Sequence, residues 1–222
     1  MLFLARWHHF SLQLPFGKAP QPGHIDAHLE RCPTLASLSR VIYAFLRCPL
    51  LETAGQAAGD AAAHMRLLWT HLAPHHLLRA MHPALVSFDD PESDKHERVT
   101  LSRGALHSAP GRIVLMDTFH AIFVMYRAAA LPALPFPPPA ASKLRSLVTR
   151  LAAARGIAPE VTFCMEGDAN ARRLEAHLID EPLVGASLSD EEGAEAAKLG
   201  FAGWVRHVEG RVAQALEQAA AS

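Results

Sequence analysis

Cysteines are few in this chain, net charge is almost absent, and no apolar run is long enough to cross a bilayer. The 3 cysteines, Cys32, Cys48 and Cys164, are widely spaced, which fits neither a disulfide framework nor a CxxC zinc ribbon. A reducing compartment is therefore expected. The 21 basic and 22 acidic residues leave a net charge of −1, so the basic surplus typical of nucleic-acid-binding domains is missing. No nucleic-acid partner is predicted.

Common catalytic and nucleotide-binding motifs are also missing. The sequence holds no GxxxxGK[ST] loop, no GxGxxG and no GxSxG elbow, so the chain is not predicted to bind a nucleotide or to be a hydrolase itself. Histidine is abundant at 14 residues, but Pro74 interrupts the helical face that His71 and His75 would need as metal ligands. Neither a metal nor a cofactor is predicted.

Apolar spacing predicts helices before a region of mixed helices and strands. Residues 1–34 are irregular, residues 35–81 are predicted as a helical segment, and residues 82–222 are predicted as an α/β domain. The first helix carries apolar residues at helical spacing: Leu35, Leu38, Ile42 and Phe45. A second helix is predicted over 56–72, where Pro74 breaks or kinks it.

Strands are predicted at 85–88, 98–102, 112–116, 119–126 and 160–165. The arms on either side of Asp117-Thr118 are almost continuously apolar, which predicts a hairpin in the middle of a sheet covered on both faces. A helix is predicted from Ser142, a suitable cap, to Arg155. The last helix has a single apolar stripe: Phe201, Trp204, Val205, Val208, Val212 and Leu216. The predicted fold class is therefore α+β.

Two polar or irregular segments leave alternatives open. The loop 128–139 contains two PxxP spacings, which suit either an SH3-type groove or a stiff connector. The acidic sequence Asp89-Asp90-Pro91-Glu92 is typical of a solvated turn, and it is also the one candidate for a calcium site.

The sequence Glu166-Gly167-Asp168-Ala169-Asn170-Ala171-Arg172-Arg173-Leu174 predicts a strand end, a glycine turn and the start of a helix that carries two arginines. Its arginines are either solvated or held by the turn for a partner. In the second case a stiff turn would reduce the entropy lost on binding, and a guanidinium would offer a permanent planar charge to phosphate oxygens.

A family resemblance rests on four segments in the same order. Gly111-Arg112-Ile113-Val114-Leu115-Met116-Asp117-Thr118-Phe119 resembles the gelsolin-domain hairpin of the COPII inner-coat subunit that activates the Sar-type GTPase. Phe45-Leu46-Arg47-Cys48-Pro49-Leu50-Leu51 resembles the end of a helix in that family's preceding helical domain. The loop from Gly167 to Leu174 resembles its Gly-Gly-Ser-Gln-Ala-Arg turn, and the final helix resembles its closing helix. The resemblance covers nearly everything after residue 35 and implies a gelsolin-like domain with a central mixed sheet flanked by helices.

The resemblance implies that Arg172 is an arginine finger supplied in trans, on a turn made by Gly167 and supported by Asp168, Asn170 and Arg173. Asp168 stands where the family has a second glycine, and its charge either disfavours nearby phosphates or pairs with one of the arginines. Arg173 replaces an aromatic residue. The implied partners are a Sar-type small GTPase, the cargo-adaptor paralogue and the outer-coat subunit. The implied localisation is cytoplasmic, peripheral on the endoplasmic reticulum membrane and on COPII vesicles.

The chain has no place for the zinc-binding, trunk and β-rich modules of that family, which suggests either a fragment or a compact relative. Two other functions stay open. The same fold could be a non-catalytic coat scaffold, or it could be an actin-binding gelsolin relative that uses the acidic turn at 89–92.

Overall fold

The computed structural model describes residues 38–47, 63, 67–130, 133–180 and 199–220. The chain forms two compact units: Met1–Thr53 with Pro182–Ser222, and Ala54–Glu181. These units group the chain differently from the three segments predicted from the sequence (1–34, 35–81 and 82–222), which stay a prediction about domain organisation. Most of the predicted second helix, and the irregular first segment, lie outside the described residues.

The first unit contains α1 (Leu38–Leu46) and α6 (Gly200–Ala220). Tyr43 is fully buried, and its ring lies 5.6 Å from Phe201 and 5.5 Å from Trp204. The predicted stripe of the last helix is confirmed at Phe201, Trp204, Val208 and Val212, which are all buried. The predicted apolar face of α1 was wrong at Phe45, which is 41% exposed, because Ser39, Tyr43 and Ala44 occupy the buried face.

The second unit is built on a mixed sheet of 5 strands in the order β2-β1-β3-β4-β5. The strands are β1 (Ala84–Phe88), β2 (Glu97–Val99), β3 (Ile113–Asp117), β4 (Ala121–Tyr126) and β5 (Glu160–Met165). The first four pair antiparallel, and β5 runs parallel to β4. Every residue of β3 and β4 is buried, so the predicted central hairpin is confirmed.

Helices cover both faces of this sheet. One face packs against α3 (Arg103–Ser108) and α5 (Ala169–Glu175), through Leu106, Ala171 and Leu174. The other face packs against α4 (Lys143–Ala153), through Leu144 and Val148. Another helix of this unit is α2 (Pro74–Met81), which begins at the proline predicted to interrupt a helix. The predicted α+β class, with a central mixed sheet flanked by helices, is confirmed.

One local prediction was wrong. The strand predicted over 98–102 ends at Val99, because the Ser102 hydroxyl accepts a hydrogen bond from the Ala105 amide (3.2 Å) and begins α3. Thr162 and Cys164 are the buried residues of β5, whereas Val161 and Met165 are each 37% exposed. This pattern follows from the position of β5 at the edge of the sheet, with α5 packed over the side that carries Cys164.

Candidate functional site

The candidate site is the turn that joins β5 to α5. The strand ends at Met165, and the amide of the next residue, Glu166, donates to the Tyr126 carbonyl (2.8 Å). Gly167 then adopts a φ of 89°, a conformation that glycine tolerates and a residue with a Cβ disfavours. Gly167 therefore makes the turn, as the sequence predicts, and Asp168 follows it as the N-cap of α5.

The Asp168 carboxylate holds this turn closed. Its Oδ1 accepts from the Ala171 amide (2.7 Å), and its Oδ2 accepts from the Met165 amide (2.9 Å). Burial alone would raise the pKa of Asp168, but the amides of Met165, Ala171 and Asn170 together hold it below its usual value. Among the residues that the structure describes, Asp168 makes no ion pair with either arginine, so the pairing considered from the sequence is wrong.

Arg173 is held by a carboxylate on the neighbouring strand. Its Nη1 donates to Oε1 of Glu160 (2.8 Å) and its Nη2 to Oε2 (2.7 Å), which is a two-pronged ion pair. The guanidinium also lies 5.7 Å from the centre of the Phe123 ring and 3.5 Å from the Asn170 side-chain oxygen. The Arg173 side chain therefore points back toward the sheet.

Arg172 differs from Arg173 in that only its backbone is held. Its backbone is fixed, since its amide donates to the Asp168 carbonyl (3.2 Å) and its carbonyl accepts from the Ala176 amide (3.1 Å). Its neighbours Ala171 and Leu174 are fully buried and anchor α5 to the core. The Arg172 side chain is exposed, and within the described part of the chain it makes no hydrogen bond or ion pair. Of the two adjacent arginines, Arg173 is therefore held by an ion pair, whereas the Arg172 side chain is exposed to solvent.

A second set of contacts ties the turn to the segment after β4. Oε2 of Glu166 accepts from the Ala128 amide (2.9 Å), and Oε1 lies 3.8 Å from Nδ1 of His107. Arg127 donates to the carbonyls of Gly111 (3.3 Å), Ala109 and His107. Sequence reasoning missed Arg127 as a supporting residue, because its partners are backbone carbonyls that no motif identifies.

The predicted hairpin contains a buried charge cluster that sequence reasoning also missed. Asp117 is 2% exposed and accepts from Arg155 (2.8 Å) and Arg79 (2.9 Å). Its other oxygen accepts from the amide of Phe119, which has a φ of 70°. Arg155 also donates to the Leu151 carbonyl (2.9 Å) and to that of Phe119. The sequence contained one indication of this cluster. Asp117 lies in an otherwise apolar hairpin, and a buried carboxylate needs a charged or hydrogen-bonding partner.

Of the histidines considered as metal ligands, His71 and His75 lie within the described residues and are exposed. His71 is exposed and lies 2.8 Å from the Leu67 carbonyl, while the rings of His75 and His76 are 4.0 Å apart. Within the described ranges, no group of three or more His, Cys, Asp or Glu is placed to hold a metal ion. No helix of those ranges is long and apolar enough to span a membrane.

The two open sequence segments have local structural roles. Pro138 is buried, and Leu134 and Phe136 pack against the core, which favours the connector interpretation of the 128–139 loop. In the acidic turn, the Asp90 side chain accepts from the Glu92 amide (2.8 Å), as expected of a solvated turn.

Known proteins show the same architecture. No protein-family model matches the chain. In fold, the chain matches the crystal structure of the human COPII-coat protein Sec24c with a TM-score of 0.61 and 15% identity, over 96% of this chain and 31% of that one. The fold is therefore the predicted gelsolin-like α+β arrangement, which the chain shares with Sec24c.

In sequence, the chain is similar to the protein transport protein SEC23 D of Arabidopsis thaliana, with 30% identity over 204 residues. The match covers 91% of this chain and 27% of SEC23 D, so the chain spans about a quarter of that relative's length. The predicted resemblance to the COPII subunit is confirmed by this match in sequence, and the predicted fold by the match to Sec24c.

Proposed function

We propose that the chain is a component of a COPII vesicle coat in transport from the endoplasmic reticulum, and that it stimulates GTP hydrolysis by a Sar-type small GTPase. In this proposal Arg172 is supplied in trans to the GTPase as an arginine finger. The observation that carries the proposal is the exposed Arg172 side chain on a backbone held from both sides, by Asp168 and by the buried residues Ala171 and Leu174. The similarity to SEC23 D supports the choice of coat and partner.

The proposed chemistry follows from the charge that develops on phosphate oxygens during hydrolysis. A guanidinium is always protonated and offers planar donors that fit those oxygens. An arginine supplied in trans contributes about 10³- to 10⁵-fold to GTPase rates in general. This rate enhancement requires the guanidinium to be in place before the reaction begins. Moving it into place during the reaction would cost free energy and reduce the enhancement. The cap at Asp168 and the turn at Gly167 meet this requirement for the backbone of the site.

The proposed partners and location are those of a COPII coat component. The chain would meet the GTPase, the cargo-adaptor paralogue and the outer-coat subunit, and it would be cytoplasmic and peripheral on the endoplasmic reticulum membrane and on COPII vesicles. It would be an activator rather than a hydrolase, because the nucleotide and the attacking water belong to the GTPase site.

The test is single-turnover GTP hydrolysis by a Sar-type GTPase on liposomes, with the wild-type chain, Arg172→Ala and Arg150→Ala. Arg150 is a matched control, since it is also an exposed helical arginine, on α4. We expect stimulation by the wild type and by Arg150→Ala, and loss of stimulation by at least about 10³-fold in Arg172→Ala. Equal stimulation by wild type and Arg172→Ala would contradict the finger.

A non-catalytic scaffold of the same fold is the second candidate, because the chain shares its fold with the COPII-coat protein Sec24c. Binding to the coat partners without any stimulation by the wild-type chain would support the scaffold.

A further inference from the structure

The two adjacent arginines of α5 differ in their partners, although the sequence presents them as equivalent. We propose that Glu160 is a positioning residue, which holds Arg173 against β5 so that Arg172 alone of this pair is presented to the partner GTPase. This inference rests on the proposed function, because it explains which arginine acts and does not add a second activity.

The geometry of the Glu160–Arg173 pair is specific. Each terminal nitrogen of Arg173 meets a different oxygen of Glu160, at 2.8 and 2.7 Å. Glu160 is itself held, because its amide donates to the His120 carbonyl (3.0 Å) and its Oε1 accepts from the Thr162 hydroxyl (3.1 Å). The hydrogen bond from Arg173 lowers the pKa of Glu160, which keeps the carboxylate ionised.

The Glu160–Arg173 ion pair contributes little to the stability of the fold. Its side chains are 50% and 54% exposed, and exposed ion pairs contribute little to folding because water and salt screen them. Ala171, Leu174 and Leu178 are buried in the core and already hold α5 on the sheet. The effect of the pair is therefore local: it determines where the Arg173 guanidinium lies.

The location of Arg173 matters for its neighbour. If Glu160 lost its charge, Arg173 would be released beside Arg172, and two guanidinium groups would repel each other and compete for the same phosphate oxygens. Small misplacements of a positioned group cost large factors in rate. We therefore expect Glu160→Gln to lower the maximal rate of stimulated hydrolysis by about 10-fold, with little change in the concentration of GTPase that gives half-maximal rate.

The first measurement needs no activity. Phenylglyoxal modifies accessible guanidinium groups, and tandem mass spectrometry of the intact chain's digest separates the reaction of Arg172 from that of Arg173. We expect Arg172 to react several-fold faster than Arg173 in the wild type, and both to react at similar rates in Glu160→Gln. Equal rates in the wild type would overturn the inference, whether or not the chain stimulates hydrolysis.

The second measurement separates positioning from catalysis by Arg173. The variants are Glu160→Gln, Arg173→Glu and the exchanged pair Glu160→Arg/Arg173→Glu, each first checked for wild-type thermal unfolding. We expect Arg173→Glu to lose stimulation, because Glu160 would repel the new carboxylate, which would then lie beside Arg172 and compete with phosphate for its guanidinium. We expect the exchanged pair to regain most of the stimulation, because the ion pair is rebuilt with Arg172 unchanged. An exchanged pair as inactive as Arg173→Glu would show that residue 173 must itself be an arginine, and this would overturn the inference.

The proposed function and the positioning role can fail separately. If Arg172→Ala stimulates hydrolysis like the wild type, the proposed function fails, while the phenylglyoxal rates still decide whether Glu160 holds Arg173. If Arg172→Ala is inactive and Glu160→Gln is fully active, the finger stands and the positioning role is wrong.

Discussion

Removing the Asp168 side chain should loosen the turn that carries Arg172. In Asp168→Ala, the amides of Met165 and Ala171 lose carboxylate partners at 2.9 and 2.7 Å. Loss of an N-cap side chain costs about 0.5–2 kcal/mol, and two lost acceptor contacts place this site toward the upper end, about 1–2 kcal/mol. For a chain of 222 residues, that corresponds to a fall in Tm of about 2–8 °C.

Asp168→Asn is the matched control. Its side chain keeps one carbonyl oxygen for the Ala171 amide and replaces the second oxygen with a donor, so it should lose less stability than Asp168→Ala. Urea unfolding followed by circular dichroism at neutral pH gives the ranking, with wild type most stable and Asp168→Ala least. Equal midpoints for wild type and Asp168→Ala would refute the capping argument.

The pH dependence gives a second check on the same residue. Because folding lowers the pKa of Asp168, its contribution to stability is complete above the ordinary carboxyl pKa of 3.8 and is lost as the pH falls through the lower, folded-state pKa. The difference in unfolding free energy between wild type and Asp168→Asn should therefore shrink as the solution is acidified below that range. A difference that stays constant from neutral to strongly acidic pH would contradict the assignment.

Three further predictions concern the framework of the second unit. Asp117→Ala should destabilise the chain by about 3–5 kcal/mol, because it leaves the buried guanidinium of Arg155 without its partner. Asp94→Ala is the control: it removes an exposed ion pair with Lys143, so it should shift the urea midpoint far less. Gly111→Ala should be destabilising, since a Cβ would lie 2.3 Å from a backbone oxygen, while Gly104→Ala, with open space around it, should be neutral or stabilising in the same unfolding assay. Burial raises the pKa of Cys164 to about 12, so iodoacetamide at pH 8 should modify this thiol in urea and spare it in the native chain. Equal rates of modification in urea and in the native chain would contradict the burial of Cys164.

The parts of the fold that depend on local patterns could be predicted from the sequence. The continuous apolar arms identified the central hairpin, and Ser142 identified the start of α4, where its hydroxyl accepts from the Arg145 amide (3.3 Å). The helix α3 could not be predicted, because its six residues are too short for an apolar period and its start depends on the Ser102 cap.

The candidate site could be predicted only in part. The turn at Gly167 and the helix start after it follow from the sequence, because a glycine and a capping residue have local effects. The Glu160–Arg173 pair could not be predicted, since it joins a strand to a helix and depends on how both pack on the sheet. The same reason applies to the buried Asp117–Arg155 pair, whose members are 38 residues apart in the chain.

The most direct test of the central proposal is a comparison of binding to two states of the Sar-type GTPase. One state carries a non-hydrolysable GTP analogue, and the other carries GDP with aluminium fluoride, which imitates the transferring phosphoryl group. An arginine that acts in the transition state must bind the second state more tightly than the first. The account predicts that Arg172→Ala weakens binding to the aluminium fluoride state and leaves binding to the GTP-analogue state nearly unchanged. Equal weakening of both states, or of neither, would contradict a catalytic role for Arg172.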